Sequence, residues 1–204
     1  MGVALGLGTA IPKIQYLSEA SKVSDYSLEL DGTTDYVTFT EHEYTIDGAN
    51  NDLSISFWAK RSDNNDEAVI LGHSGSGSFK RIYFDDDGDR LYIESDTNGQ
   101  EAYAPVTADT NWHHYVITST GVTGGGAATV AMFEDGSSVS VTNTNFGASS
   151  DGLTLLRIGD DNASGNQAFK GLLYQVAIYN EVLTDGAITT IYNSGVPADL
   201  SSID

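Results

Sequence analysis

Cysteine is absent from the 204 residues, so neither disulfides nor thiolate metal sites can staple this chain, and composition says nothing of its redox compartment. Basic residues are scarce. Nine Lys plus Arg stand against 29 Asp plus Glu, a formal charge of −20. A surface of that sign repels phosphate backbones and anionic lipid headgroups, so neither nucleic acid nor a membrane is an expected partner. No apolar run approaches the roughly 18 residues that span a bilayer. The opening stretch MGVALGLGTAIPKIQ has no basic residue before Lys13, so it lacks the charged start of a secretory signal. Gly6 stands where a myristoylation motif needs Ser or Thr.

What is present suffices to fold. Hydrophobic residues make up 40% of the chain and aromatics 10%, enough for one domain with a sizeable core despite the charge. Most of the chain alternates apolar and polar residues with period two between Gly, Asn and Asp, the pattern of strands with one buried face. In LSISFWAKR, Leu53, Ile55, Phe57 and Ala59 share one side, and Ser54, Ser56, Trp58 and Lys60 share the other. Similar runs occur at 26–30, 35–39, 67–73, 113–119, 128–136 and 153–159. The expectation is an all-β fold of two stacked antiparallel sheets. Hairpins are expected at RIYF/RLYIES, around Asp87-Gly88, and at TVAMFED/SVSVTN, around Asp135-Gly136, because Asp-Gly tolerates positive φ.

One segment breaks the period. In LTDGAITTIYNSGVP, Ile188, Ile191 and Tyr192 fall at i, i+3 and i+4, Thr184 can cap the start, Gly195 can end the helix, and Pro197 prevents continuation. This predicts a short C-terminal helix. Residues 121–128, GVTGGGAA, read as a flexible connection, and residues 1–25 read as an arm outside the sandwich.

The stretch YFDDDGDRLYI places Asp85, Asp86, Asp87 and Asp89 within five positions. These carboxylates either turn the chain or supply hard oxygen ligands to calcium. The stretch is not an EF-hand loop: counted from Asp85, its sixth residue is Arg90, not Gly, and its twelfth is Asp96, not Glu.

Four segments in order, SLELDGTTDYVTF, LSISFWAKR, NWHHYVIT and FKGLLYQVAIYNEVLTDGAITTIYNSG, resemble the laminin-G-like members of the concanavalin A-like lectin/glucanase superfamily. The resemblance implies a two-sheet antiparallel jelly-roll sandwich over residues 26–195, with residues 196–204 as a tail. It also implies a binding protein for sugars or proteins. In many relatives the strand after FKG carries an Asp that helps hold a structural calcium. Here those places are Tyr174 and Gln175, leaving Asp31 and Asp35 of the first turn, with Asp85, Asp87 and Asp89, as the candidate calcium ligands.

A glucanase of this superfamily needs two glutamates and an Asp on alternate residues of one strand. Glu29-Leu30-Asp31 and Glu94-Ser95-Asp96 start such a pattern and do not complete it. G-x-S-x-G, G-x-x-x-x-G-K-[ST] and H-E-x-x-H are absent, so no enzyme is expected. His113 and His114 are adjacent on a strand and face opposite sides, so they cannot easily share one ion; Trp112 and His114 are expected to pack inward. Lectin-like binding remains. Trp58, Tyr83, Tyr92 and Tyr103 are candidate stacking rings, and Asp160, Asp161, Asn162 and Asn166 form a second polar cluster for sugar or calcium. Asn162-Ala163-Ser164 matches a glycosylation sequon by chance. The functional expectation is a non-catalytic, lectin-like virion surface protein, a phage head decoration, fibre or tail component. It would be made in the host cytoplasm, form homo-oligomers, dock on other virion subunits through residues 1–25 and contact host glycans. The alternative is an extracellular carbohydrate-binding module of a bacterium. Calcium is the one cofactor that stays open.

Overall fold

The structure, a computed structural model, describes residues 27–38, 52–63, 67–72, 81–94, 101–120, 129–144, 157–160, 167–198 and 200. In chain order the first strands are β1 (Leu28–Asp31), β2 (Val37–Thr38), β3 (Leu53–Arg61), β4 (Ala68–Gly72), β5 (Arg81–Phe84), β6 (Arg90–Glu94) and β7 (Glu101–Pro105). They continue with β8 (His113–Thr120), β9 (Thr129–Glu134), β10 (Ser137–Val139), β11 (Thr142–Thr144), β12 (Arg157–Ile158) and β13 (Lys170–Tyr179). The helix α1 (Asp185–Tyr192) follows, and a 3-10 turn spans Asn193–Gly195. The strands form two antiparallel sheets, a six-stranded one ordered β1-β13-β3-β8-β9-β10 and a seven-stranded one ordered β11-β7-β6-β5-β4-β12-β2. This is the two-sheet jelly-roll sandwich that the alternation predicts.

The main core lies between the sheets. Leu53, Ile55, Phe57 and Ala59 of β3 and Tyr115 and Ile117 of β8 meet Ile82, Phe84, Leu91, Ile93, Ala102 and Ala104 of the opposite sheet. Every second residue points inward, so the pleat alone turns these alternating sequences into one oily face each. On β3 the expectation of a single buried face fails: Ser54, Ser56 and Trp58 on its other side are also buried. The cause is α1, which lies over the six-stranded sheet. Ile188 and Ile191 from the helix pack with Leu183, Val116 and Phe133 in a second core. Thr184 caps the helix through Oγ1, which accepts from the Ala187 N–H at 3.2 Å. The helix ends earlier than predicted, at Asn193, whose left-handed φ of 47° serves the C-cap; Gly195, at φ 88°, ends the following 3-10 turn.

Both predicted hairpins form, β5 with β6 and β9 with β10, but two other connections cross between the sheets. The turn after β1 does not fold β2 back beside it: β1 pairs with β13 in one sheet and β2 with β12 in the other. Likewise SVSVTN splits, β10 pairing with β9 and β11 crossing to β7. Period two cannot reveal these crossings, since a strand that switches sheets keeps its pleat.

Of the two Asp-Gly sites, Asp135-Gly136 is a two-residue hairpin turn, with φ of 50° and 74° and Glu134 paired to Ser137. At the aspartate cluster only Gly88 takes a positive φ, 64°. There the Gly88 N–H donates to the Asp85 carbonyl at 2.9 Å, giving a longer loop between Asp85 and Arg90.

Candidate functional site

The outer face of the seven-stranded sheet carries a row of three tyrosines. Register sets Tyr83 of β5 opposite Tyr92 of β6, and Tyr92 opposite Tyr103 of β7. Their neighbours in sequence point into the core, so the three rings must point the other way. Tyr83 and Tyr92 stack at a centroid distance of 4.9 Å and Tyr92 and Tyr103 at 4.8 Å. Tyr83 is buried, whereas Tyr92 and Tyr103 are half-buried. Burial pushes the Tyr83 and Tyr92 phenols above their usual range, so both stay neutral and can donate as well as accept.

Charged side chains frame the row on both sides. Two residues further along the same strands, Arg81, Glu94 and Glu101 form a parallel row in the same register. Arg81 Nε donates to Glu94 Oε2 at 2.7 Å, and Nη1 binds Glu67 and, at 2.9 Å, Gln167 Oε1. Its guanidinium lies 4.1 Å over the Tyr83 ring. Across the tyrosines, exposed Arg90 lies between Asp85 and Asp89 and 5.8 Å from the Tyr103 ring centre. The Glu101 carboxyl is pushed up, first by burial and then by Glu94 beside it. The tyrosines were legible in the sequence. The framing charges were not singled out, although i, i+2 spacing from each tyrosine already placed them on the same face.

The aspartates do turn work. Asp31 accepts from the N–H groups of Thr33, Thr34 and Asp35 and from the hydroxyls of Thr33 and Thr34, at 2.7–3.1 Å. These bonds hold its carboxyl far below the usual range. Asp85 Oδ1 accepts from the N–H groups of Asp89 and Arg90 at 3.2 and 3.3 Å, and burial pushes its pKa up. Asp35, Asp86 and Asp87 are exposed. Among the described residues no three His, Asp or Glu side chains are placed to hold a metal ion. At Asp31 and Asp85 the carboxylates are already engaged by their own turns, and Tyr174 and Gln175, at the places where the resemblance implies a ligand, bring no carboxylate. The residues described here do not fit the family's calcium site.

The remaining candidates are dispersed. Trp58 is 2% exposed and packs between His114, at 5.0 Å, and Tyr192, at 5.8 Å, beneath α1, out of reach of a ligand. Asp160 is paired with Arg157 at 2.6 Å. Asp161, Asn162 and Asn166 lie outside the described residues, as do residues 1–25 and the connection at 121–128. His114 packs inward as expected, but under the helix, not between the sheets; Trp112 is only half-buried. His113 faces the other way and its two ring nitrogens meet Asp135 at 2.7 Å and Asp109 at 3.0 Å.

Two crevices lie away from the tyrosine row and share Arg61. One, of about 240 Å³, runs from Asp31 and Thr33 to Lys170, and the other, of about 440 Å³, runs past Glu29 and Asn111. Arg61 is buried, its guanidinium 4.4 Å over Phe84 and donating to the Gly88 and Thr107 carbonyls, so in both crevices it seals the end of the core.

Fold and face together define a lectin-like jelly roll. Residues 31–189 match the laminin G-type family described as the concanavalin A-like lectin/glucanases superfamily, and the chain belongs to it. No curated protein is similar enough in sequence to match. Among solved structures, the chain resembles the native heptameric SAP-like pentraxin of Limulus polyphemus, with TM-score 0.60, 17% identity, and 85% of this chain and 84% of that one covered. It also resembles the binding domain of botulinum neurotoxin DC in complex with rat synaptotagmin II, with TM-score 0.61, 13% identity, and 86% and 44% covered. A third likeness is the CBM40 of the Ruminococcus gnavus IT-sialidase, with TM-score 0.55, 13% identity, and 81% and 96% covered. The chain thus spans less than half the length of the toxin chain it matches. At these identities the likeness is one of fold.

Proposed function

We propose that this chain is a non-catalytic glycan-binding module whose contact surface is the tyrosine row of the seven-stranded sheet. The observation that carries the reading is the ladder itself: Tyr83, Tyr92 and Tyr103 stacked across three neighbouring strands, with hydrogen-bonding side chains on either side. The rings are stacked on one another, so they meet a sugar with their edges and phenol groups, and these, with Arg90 and the carboxylates, match its hydroxyls. Likeness to binding domains, a pentraxin and a CBM40 supports binding over bond cleavage.

Glu94 and Glu101 are the pair a glycosidase reading would invoke, since such an enzyme flanks the sugar bond with two carboxyl groups. Here Glu94 is fixed by Arg81, and neither of the two crevices contains Glu94 or Glu101. We propose that binding needs no calcium, because Asp31 and Asp85 are engaged by their own turns.

A glycan array probed with wild type and with Tyr92→Ala/Tyr103→Ala, with and without calcium, tests the reading. Binding by wild type alone, indifferent to calcium, is the expected result; equal binding by both proteins moves the site elsewhere. Release of reducing sugar from β-glucans is expected to be nil. For setting, we propose the surface of a virion, where an acidic, cysteine-free jelly roll is displayed in homo-oligomers, with residues 1–25 docking on neighbouring subunits. Mass spectrometry of purified virions tests it, and an identical yield of incorporated protein after deletion of residues 1–20 would remove the arm's role.

A further inference from the structure

Lys60 and Arg61 stand apart from the other cations of a chain whose charge is −20. Arg81, Arg90, Arg157 and Lys170 are each ion-paired to a carboxylate, whereas among the described residues Lys60 and Arg61 meet none. Arg61 is buried, and its charge is offset only by the Gly88 and Thr107 carbonyls and the Phe84 ring. Carboxylates abound in this sequence, and a guanidinium taken out of water without one is costly. Both cations line the larger of the two crevices, where a concave wall focuses their field.

Register places the rest of that crevice. Lys60 of β3 is opposite Leu172 of β13, and Leu172 is opposite Glu29 of β1. Their neighbours Ala59, Leu173 and Leu30 point into the core, so these three side chains form one row on the outer face of the six-stranded sheet. Strands about 4.8 Å apart put the Lys60 and Glu29 backbones about 10 Å from each other, with half-buried Leu172 between them. Exposed Ser62, Thr110 and Asn111 add hydroxyl and amide groups to the lining. The smaller crevice shares Arg61 but not this balance. There Lys170 is paired with Asp63, and Asp31 and Glu67 also line it.

We infer that the crevice between Lys60 and Glu29 is a second binding site, separate from the tyrosine row, and that it takes a sugar carrying a carboxylate. The carboxylate meets the Lys60 ammonium in the field of Arg61, the ring lies along Leu172, and the hydroxyls reach Thr110, Asn111 and Glu29. A volume of about 440 Å³ falls in the range of small-molecule sites. One negative charge suits the crevice better than two. Lys60 and Arg61 against Glu29 leave a single positive charge, and a dianionic phosphate would also meet stronger repulsion from the chain as a whole.

An NMR titration of the full chain, read at the backbone amides of Lys60, Ser62, Asn111 and Gly171, tests the inference with methyl β-glucuronide, its neutral amide, glucose 6-phosphate and acetate. The glucuronide is expected to bind at least about tenfold more tightly than the amide, equivalent to about 1.4 kcal/mol, and more tightly than the phosphate or acetate. Any anion responds to the overall charge, so two variants that each remove one cation are compared. Lys60→Met is expected to lose the preference for the glucuronide over its amide, whereas Lys170→Met, in the smaller crevice, is expected to keep it. Wild-type amides that do not move, equal affinity for glucuronide and amide, or equal loss in both variants overturns the inference. Acetate or phosphate binding as tightly as the glucuronide overturns the assignment to an acidic sugar. Each of these failures leaves the tyrosine row intact, because that reading stands or falls on Tyr92→Ala/Tyr103→Ala.

Discussion

His113 and His114 are neighbours on β8 that face opposite sides and are driven to opposite charge states. His113 has both ring nitrogens against carboxylates, Asp135 at 2.7 Å and Asp109 at 3.0 Å, with Glu134 3.7 Å away. Burial opposes the charged form, but the carboxylate hydrogen bonds outweigh it and push its pKa up. His114 is 1% exposed beneath α1, its ring bonds only Ser56 Oγ, at 3.0 Å, among the described residues, and burial pushes its pKa down to about 4, against a weaker opposing pull from Asp135.

Their effects on stability therefore have opposite sign. His113 binds its proton more tightly folded than unfolded, so its contribution is full below the unfolded value of 6.5 and is lost as pH rises through the folded value. His114 binds its proton more weakly when folded, so its contribution is full above 6.5 and is lost as pH falls towards about 4. A shift of that size corresponds to about 3 kcal/mol over the window. In NMR titrations the His113 ring should remain protonated above the ordinary histidine range, while His114 stays neutral well below it. The fall in thermal stability between those two pH values should be shallower in His114→Gln than in wild type; parallel curves would contradict the assignment.

Gly171 should tolerate no side chain. Its φ is 144°, and an added Cβ would meet the Lys60 carbonyl oxygen at 2.2 Å, a backbone atom within the β3-β13 ladder that cannot move aside cheaply. Gly171→Ala is expected to cost about 3 kcal/mol, seen as a Tm lower by about 10 °C. An unchanged Tm would show that the two strands do not approach this closely.

The helix should be part of the cooperative unit. Ile188 is fully buried in the second core against Val116 and Leu183, so Ile188→Ala is expected to destabilise the fold by about 3 kcal/mol in one transition. A separate early transition with the main Tm unchanged would mean that the helix docks independently.

The aspartate cluster gives unequal predictions. Asp85→Ala removes the acceptor for two backbone N–H groups and should cost about 1–2 kcal/mol, whereas exposed Asp87→Ala should change stability by less than about 0.5 kcal/mol. Calcium in the millimolar range should leave the wild-type Tm where it is. A rise in Tm with calcium that Asp87→Ala abolishes would restore the metal reading of this loop.

Much of this was legible in the sequence because the pleat has a period of two and the helix does not. LSISFWAKR and RIYF announce their core faces, and Thr184 and Ile188 announce the helix. The tyrosine row was legible as three candidate residues, but not as a row, because cross-strand register depends on the loop between Asp85 and Arg90. Trp58 misled for a different reason: the outward side of β3 is covered by α1, a contact between residues more than 120 positions apart that local pattern does not encode. The sheet-switching corners after β1 and β10 escaped for the same reason.

The most direct test of the central claim is an NMR titration that follows the ring resonances of Tyr83, Tyr92 and Tyr103 as a glycan selected from the array is added. Shifts are expected to be concentrated on Tyr92 and Tyr103, smaller on buried Tyr83 and absent from Trp58. Shifts confined to the Arg61 crevices or to the segment around Asp160, with the tyrosine rings unmoved, would contradict it.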